Sequence, residues 1–487
     1  MRTTEQYIEG LRKMRRNVYI DGNKIDRDDE LQMDCINTIG TTFDYALDPN
    51  YEDLCTATSH LTGEKISRFC HIHQNTDDLH KKQDMTRMLC QVAGGCIQRC
   101  MGIDGANAIY AVSYEADKQN NGSTEYHKNF LKWLERFQKE DLVGCCAQTD
   151  VKGDRMKRPS RQKDPDLYVH VVEKKSDGIV VRGCKVHNSE ASVADEILVV
   201  PTRYLLPEES EWAVAFAVPG DWEGVKQVVS AHNLRKRQHF PRGFTPGAVD
   251  SYTIFEDTFI PWERVFLCGE SIHGGALALL FALFHRHSYS GCKPAIGDLL
   301  IGTAALVAEY NGIQKAKHVR DRLAEIIMTT ELGYAAGYTA SDLGKPEMYI
   351  PGMGSMPYGP GSYIPHSIYS NVGRCLTGEA VYREAEILTD LSGGMPATFP
   401  YEGDFVNPET KDLLHKYIMR NPDVSAEDAA QLWRYVGDLL CSSASGVASI
   451  GNYHGGGSPI MENIAITSQY DLESRKQMVK RLAGIND

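Results

Sequence analysis

The chain has no excess of positive charge. Its 52 Lys and Arg residues stand against 65 Asp and Glu, a net −13 over 487 residues. A surface this acidic repels nucleic-acid phosphates and anionic lipid, which excludes general binding to either but not a local basic pocket for a phosphate-bearing ligand. Long hydrophobic runs are also missing. The longest, Gly274–Phe284, stops at His285-Arg286-His287, well short of the roughly 20 residues a spanning helix needs. The first residues lack the apolar core of a signal peptide. Tyr7, Ile8, Leu11 and Met14 follow helical spacing behind Thr3 or Thr4 as N-cap, and a cytoplasmic protein is expected. There is no Walker A sequence, no His-Glu-x-x-His and no Gly-x-Ser-x-Gly. Gly352-Met353-Gly354 follows no strand and opens no helix, so it is not read as a dinucleotide fingerprint.

The 13 cysteines are an odd number in a long chain without a secretion signal. Reduced thiols or metal ligands are expected rather than a disulfide framework. Cys35, Cys55, Cys145, Cys146, Cys184, Cys375 and Cys441 sit among small or apolar residues and read as small packing groups.

Three textures follow one another. Residues 1–140 read as an N-terminal helical domain. Within it Tyr126–Leu142 is amphipathic, with Phe130, Trp133, Leu134 and Phe137 on one face. Residues 141–270 read as a compact antiparallel β domain, with strand-like runs at Leu167–Glu173, Gly178–Arg182, Ile197–Val200, Trp212–Val218 and Tyr252–Phe255. Residues 271–487 read as a helical bundle, with long periodic stretches at Ile296–Thr330, Ser367–Leu391 and Ala426–Ser449. Tyr349–Tyr363, rich in Gly, Pro, Met and Tyr, reads as a loop packed over the bundle or at an oligomer interface.

Five segments carry possible chemistry. Cys96 and Cys100 are spaced i,i+4 in a helical context, so both sulfurs can face one centre. Chance placement of 13 cysteines gives on the order of 0.3 such pairs, so the spacing alone is weak. His285 precedes Cys292 by seven residues, and the Gly291 and Lys293 flanks favour a reactive or ligating thiol. Three sulfurs and an imidazole suit an Fe–S cluster with one odd ligand or a tetrahedral zinc equally. The polar loop Gln148–Arg155 and the turn His187-Asn188-Ser189 read in isolation as solvated turns. His454-Gly455-Gly456-Gly457-Ser458-Pro459 allows close approach of backbone to a ligand.

Taken together and in this order, Cys96-x3-Cys100, Thr149-Asp150-Val151-Lys152-Gly153-Asp154-Arg155, His285-x6-Cys292-Lys293, Tyr310-Asn311-Gly312 and the His454–Pro459 segment resemble the 4-hydroxyphenylacetate 3-hydroxylase flavoprotein family. The likeness is specifically to its branch of hydroxybutyryl-CoA dehydratases/isomerases, since the hydroxylase branch lacks the Cys/Cys/His/Cys set. The resemblance spans the whole chain. It implies an α+β fold similar to acyl-CoA dehydrogenases: an N-terminal helical domain, a middle β-barrel and a C-terminal four-helix bundle. It also implies FAD, one 4Fe–4S cluster per subunit, a homotetramer and an acyl-CoA-like substrate. By motif match Cys96, Cys100, His285 and Cys292 would ligate the cluster. Thr149, Asp150, Lys152, Gly153, Asp154, Arg155, His187, Asn188 and Ser189 would contact flavin. Gln314, Gly393 and Gly394 would add flavin contacts from the bundle, partly across subunits.

The implied reaction removes water from a 4-hydroxyacyl thioester, whose β C–H is not acidic. Loss of one electron from the enolate to flavin yields a ketyl radical and acidifies that bond. An iron with a displaceable ligand assists the departing hydroxyl. His285 would double as ligand and base, with Tyr289 and Lys293 on the same helical face and Asp250 and His454 as further catalytic candidates. The chain departs from the branch near the pocket. It has His187-Asn188-Ser189 for His-Gln-Thr and Asp250 for a Glu. Gly451-Asn452-Tyr453 stands where the branch carries an acid. The same cofactor machinery turned to another substrate is one reading of these departures. A flavin monooxygenase with merely structural cysteines is another, and a non-catalytic ligand-binding paralogue a third. Arg235, Lys236 and Arg237 read as a solvated loop that could line a CoA entrance.

Overall fold

The computed structural model describes residues 1–350, 354–357 and 362–485. The first helix, Thr4–Lys13, opens with a capping box between Thr3 and Gln6, as the N-cap reading expected. Its buried Tyr7 donates to the Val193 carbonyl at 2.7 Å, which fastens the N-terminus to the middle of the chain. The amphipathic segment forms the helix Tyr126–Lys139 and buries Phe130, Trp133, Leu134 and Phe137.

The first 140 residues are not helical throughout. Val18–Ile20 and Asn23–Ile25 form a hairpin whose turn residues Asp21 and Gly22 both have positive φ, the geometry tight hairpins favour. Val18–Ile20 then pairs in parallel with Val225–Ala231. Strands of three residues are too short for alternation to reveal them.

The expected middle β-barrel is not present. Two open sheets take its place. One is six-stranded, in the order Asn23–Ile25, Val18–Ile20, Val225–Ala231, Val249–Pro261, Gly178–Ser189, His170–Lys174, and the other is four-stranded, Val265–Cys268, Val214–Pro219, Glu196–Val199, Gly144–Ala147. Each sheet ends in two unpaired edge strands, whereas a barrel closes on itself. The sheets are not wholly antiparallel either, because Gly144–Ala147 pairs in parallel with Glu196–Val199. Strand patterning reports alternation, not closure or direction.

The helical part is built on Ser271–Tyr310, Lys317–Asp342 and Ser367–Ser392. The stretch expected to run unbroken over Ile296–Thr330 is split by a turn after Tyr310, where Gly312 adopts φ 70°. Ala426–Ser449 is likewise split at Ser442, whose side chain caps the helix Ser443–His454. By length and composition Ser271–Tyr310 could cross a membrane, but 61% of its most apolar window is buried within the protein. Its N-terminal half, Ala276–Phe284, shares one continuous core with Cys100–Gln119, Tyr126–Lys139 and both sheets. Pro294 lies inside this helix and cannot donate to the Ser290 carbonyl. Gln83 Nε2 donates there instead, at 3.1 Å.

Of Tyr349–Tyr363, the expected packed loop, Gly354–Pro357 pairs with Glu347–Ile350 as a two-stranded ladder. The remainder lies largely outside the described residues, as does part of Gly352-Met353-Gly354. All 13 cysteines are free, and Cys441 is exposed rather than packed.

Candidate active site

The helix Thr76–Ala93 ends at Gly94 in a left-handed conformation, and Cys100–Gln119 begins only after a turn in which Gln98 is also left-handed. Cys96 and Cys100 therefore do not share a helical face. Cys96 is in the turn and exposed, while Cys100 is buried at the helix start. The consecutive glycines at 94 and 95 end the first helix early. The turn still brings both residues to the long helix. The Cys292 thiol hydrogen-bonds Cys96, and donor atoms of Cys100, Asp104 and His285 lie within 4.8 Å of one another. Gly291 makes room for this approach. A Cβ there would meet the Gln83 carbonyl at 2.5 Å.

The donor set suits a thiolate-rich centre. The Cys292 hydrogen bond, helped by Lys293, pulls the Cys96 thiol well below its ordinary value. His285 Nδ1 contacts Asp104 Oδ2 at 3.0 Å, and its Nε2 has no hydrogen bond among the described residues. Three sulfurs and one free imidazole nitrogen match a zinc or Fe–S site in donor softness. Asp104 was not marked by any motif. It is fully buried. Burial raises its pKa, but Lys82 and His285 outweigh that and hold it below the usual carboxylate range.

One turn beyond His285 is Tyr289, their rings 5.0 Å apart edge to face. Two cations face the Tyr289 ring, Lys293 Nζ at 4.6 Å and Arg374 Cζ at 4.8 Å from its centroid. Lys293 also donates to Asn452 Oδ1. The glycine run after His454 packs directly on this group: Arg374 donates to the carbonyls of Tyr453 and Gly455, and Arg286 to that of Gly456. Its backbone thus approaches protein side chains, with Gly456 and Gly457 both at positive φ.

Two buried acids here escaped the sequence reading. Glu462 has both carboxylate oxygens without a hydrogen bond, 3.6 Å from Arg374 and 4.0 Å from Arg286, and burial raises its pKa. Glu384, on Ser367–Ser392, is 8% exposed and has no hydrogen bond among the described residues. Burial pushes it up to about 7 against the opposing pull of Lys293.

The residues expected to contact flavin gather at one end of the middle sheets. Asp150 is buried, paired with Lys185 at 2.8 Å and bonded to the Val169 amide. Its carboxylate holds the loop, while Lys152, Gly153, Asp154 and Arg155 project as its outer part. The His187–Ser189 segment is not a turn but the end of the strand Gly178–Ser189. The register with Val249–Pro261 shifts there, and His187 takes φ 60° as an outward bulge. Asn188 donates to Thr253 at 2.8 Å, and Ser189 to Asp250 at 2.6 Å. His232 and Ser189 hold the Asp250 carboxyl low despite its burial. His187 is within electrostatic reach of Asp250, Lys152 and His454, which ties this end of the sheet to the glycine run.

Gln314, Gly393 and Gly394 do not join this site within the chain. They lie at the far end of the bundle, where Asn311 reaches the Leu391 carbonyl, about 39 Å along the helix from His285 at 1.5 Å per residue. Arg235, Lys236 and Arg237 are not free basic groups. Arg235 stacks on Tyr401, and the other two pair with Glu30 and Asp438.

Residues 3–267 match the 4-hydroxyphenylacetate 3-hydroxylase N-terminal family and residues 275–484 its C-terminal family. The chain is 37% identical to 4-hydroxybutyryl-CoA dehydratase/vinylacetyl-CoA-Δ-isomerase of Clostridium aminobutyricum, over 99% of each chain. The structure of an oxygen-tolerant archaeal 4-hydroxybutyryl-CoA dehydratase from N. maritimus superposes with a TM-score of 0.91 at 32% identity, over 100% of this chain and 95% of that one. The oxygenase component of 4-hydroxyphenylacetate 3-monooxygenase, solved with FAD and 4-hydroxyphenylacetate, shares the fold at a TM-score of 0.84 and 24% identity, over 99% of this chain and 98% of that one. The chain belongs to the 4-hydroxyphenylacetate 3-hydroxylase family and resembles its 4-hydroxybutyryl-CoA dehydratase/vinylacetyl-CoA isomerase members.

Proposed function

We propose that the protein is an FAD- and 4Fe–4S-dependent dehydratase, with allylic isomerase activity, acting on a 4-hydroxybutyryl-CoA-like thioester. The observation that carries this reading is the convergence of Cys96, Cys100, Cys292 and a free His285 Nε2 from three chain segments. These four would hold the cluster, and the Thr149–Arg155 loop with His187 would meet the flavin. When bound, flavin supplies one-electron chemistry and the cluster supplies a Lewis acid for the leaving hydroxyl.

The chain's own groups do the rest. Tyr289 and Lys293 present a hydroxyl and an ammonium one and two turns from His285, and they orient polar substrate atoms beside it. His285 would accept or return a proton at Nε2 only when that nitrogen is released from its ligand role. Asp250 is a second carboxylate at the flavin end, and His454 closes that end from the bundle. Glu384 supplies the buried acid that the Gly451–Tyr453 stretch lacks, and its raised pKa suits a group that exchanges protons near neutrality. Gln314, Gly393 and Gly394 act on the flavin of a neighbouring subunit, as part of a homotetramer. The division at 1–140, 141–270 and 271–487 belongs to the same reading.

The test is iron, acid-labile sulfide and flavin content of anaerobically purified protein, followed by turnover of 4-hydroxybutyryl-CoA. About four irons and one flavin per chain are expected from a full cluster. Flavin without iron would turn the reading to an aromatic monooxygenase, the activity named for a Geobacillus relative 25% identical over 98% of this chain and 96% of its own length.

A further inference from the structure

We propose that Asp104 is a positioning residue that fixes the His285 imidazole, with Nδ1–H donated to its carboxylate and Nε2 turned toward the cysteine sulfurs. The inference rests on the cluster reading above.

Three helices meet at this carboxylate. Asp104 comes from Cys100–Gln119, four residues after Cys100, so one helical face presents both a ligand and the acceptor for another. Lys82, from Thr76–Ala93, pairs with Asp104 Oδ1 at 2.5 Å and donates to the Phe284 carbonyl at 3.1 Å. From Ser271–Tyr310, Ser288 Oγ reaches the two carboxylate oxygens at 2.9 and 3.1 Å, and His285 Nδ1 reaches Oδ2 at 3.0 Å. The backbone just before His285, its ring and the hydroxyl one turn on are therefore all bound to one buried ion pair.

Asp104 could instead be read as a ligand, since it lies with Cys100 and His285. Its bonds argue otherwise. A carboxylate has about four acceptor sites, and Lys82, His285 and the single hydroxyl proton of Ser288 take three of them. It is also a hard oxygen among soft sulfurs. An imidazole nitrogen facing a carboxylate carries the proton, which leaves the lone pair on the other nitrogen for a metal.

The test compares the parent with Asp104→Asn, Asp104→Glu and the double variant Lys82→Met/Asp104→Asn, which leaves no buried charge unpaired. The readouts are iron and sulfide content, nitrogen hyperfine coupling in pulsed EPR of the reduced cluster, and the rate of iron loss to a chelator. In Asp104→Asn and the double variant we expect the nitrogen coupling to be lost from at least half of the clusters. Iron loss should be about 10- to 100-fold faster, the usual scale for such outer partners. Asp104→Glu should restore part of both. An iron-replete Asp104→Asn or double variant with unchanged coupling and unchanged iron loss overturns the role of Asp104 alone. A parent without iron overturns the cluster reading, and the metal-facing role of Nε2 with it. A double variant that cannot fold assigns the pair to folding and also overturns the proposal.

Discussion

Lys293 donates its ammonium proton to the side-chain oxygen of Asn452. That bond links the long helix to the helix ending at His454, within the stretch Gly451–Tyr453 where the resemblance to the dehydratase branch implies an acid. An amide accepts one hydrogen bond there but offers no proton and no negative charge. Lys293 lies over the Tyr289 ring, and its charge also acts on the buried Glu384 carboxyl.

Asn452→Ala should leave a mostly buried ammonium short of an acceptor. The expected loss is about 1–3 kcal/mol, the penalty for an unsatisfied buried polar group. It would appear as a lower urea midpoint at unchanged m-value. An unchanged midpoint would mean that water replaces Asn452.

Glu384 titrates in the folded chain near 7, against 4.5 for a free carboxyl. The unfolded chain loses this proton first. Stability should fall as pH rises from about 4.5 to about 7 and level off above, by about 3 kcal/mol in total. Glu384→Gln should remove this fall, so its advantage over the parent grows with pH across that window. The same variant should cut kcat by about 10²–10⁴-fold if the group moves a proton. Parallel stability–pH curves would remove the buried acid, and undiminished turnover its catalytic role.

What the sequence reveals here is local, and what it hides is distant. The Thr3 cap and the apolar face of Tyr126–Lys139 are legible because each is complete within one or two turns. The four cluster candidates are legible as residue types, but not as an i,i+4 helical pair, since Gly94 and Gly95 break the helix between Ala93 and Cys100. The strand order of the sheets depends on pairings such as Val18 with Gln227, which no local period encodes. Asp104, Glu384 and Glu462 are single polar residues within helices. Their partners, such as Lys82, His285, Ser288, Lys293, Arg286 and Arg374, come from other helices and up to 184 residues away in the case of Asp104 and Ser288. A motif scan has nothing to find at these positions.

Arg374 and Glu462 are both fully buried, and they form an ion pair beneath the glycine run. Arg374→Met should cost up to about 3–5 kcal/mol, because it leaves the buried Glu462 carboxylate with only Arg286, 4.0 Å away. It also frees the Tyr453 and Gly455 carbonyls. The double variant Arg374→Met/Glu462→Gln should recover part of that loss, giving a coupling energy of about 0.5–3 kcal/mol in a double-mutant cycle. Additive losses would show that the two side chains do not act as a pair.

Gly455 and Gly446 provide an internal control on one segment. A Cβ on Gly455 would meet the Tyr289 hydroxyl at 1.7 Å and the Gly451 carbonyl at 2.5 Å, whereas one on Gly446 meets nothing within 4 Å. Gly446 lies inside the helix Ser443–His454, where alanine is the better helix former, so Gly446→Ala should gain about 0.5–1 kcal/mol. Gly455→Ala must push Tyr289 or the Gly451 carbonyl aside, at about 1–3 kcal/mol for an overpacked site. Tyr289 lies against His285 and beneath Lys293, so that displacement should reach the chemistry. Turnover is expected to drop by at least about 10²-fold, as misplacement by 1 Å can cause, while Gly446→Ala keeps the activity of the parent. Thermal midpoints and kcat for both variants test this, and a Gly455→Ala protein as active as Gly446→Ala would show that the position of Tyr289 does not matter to turnover.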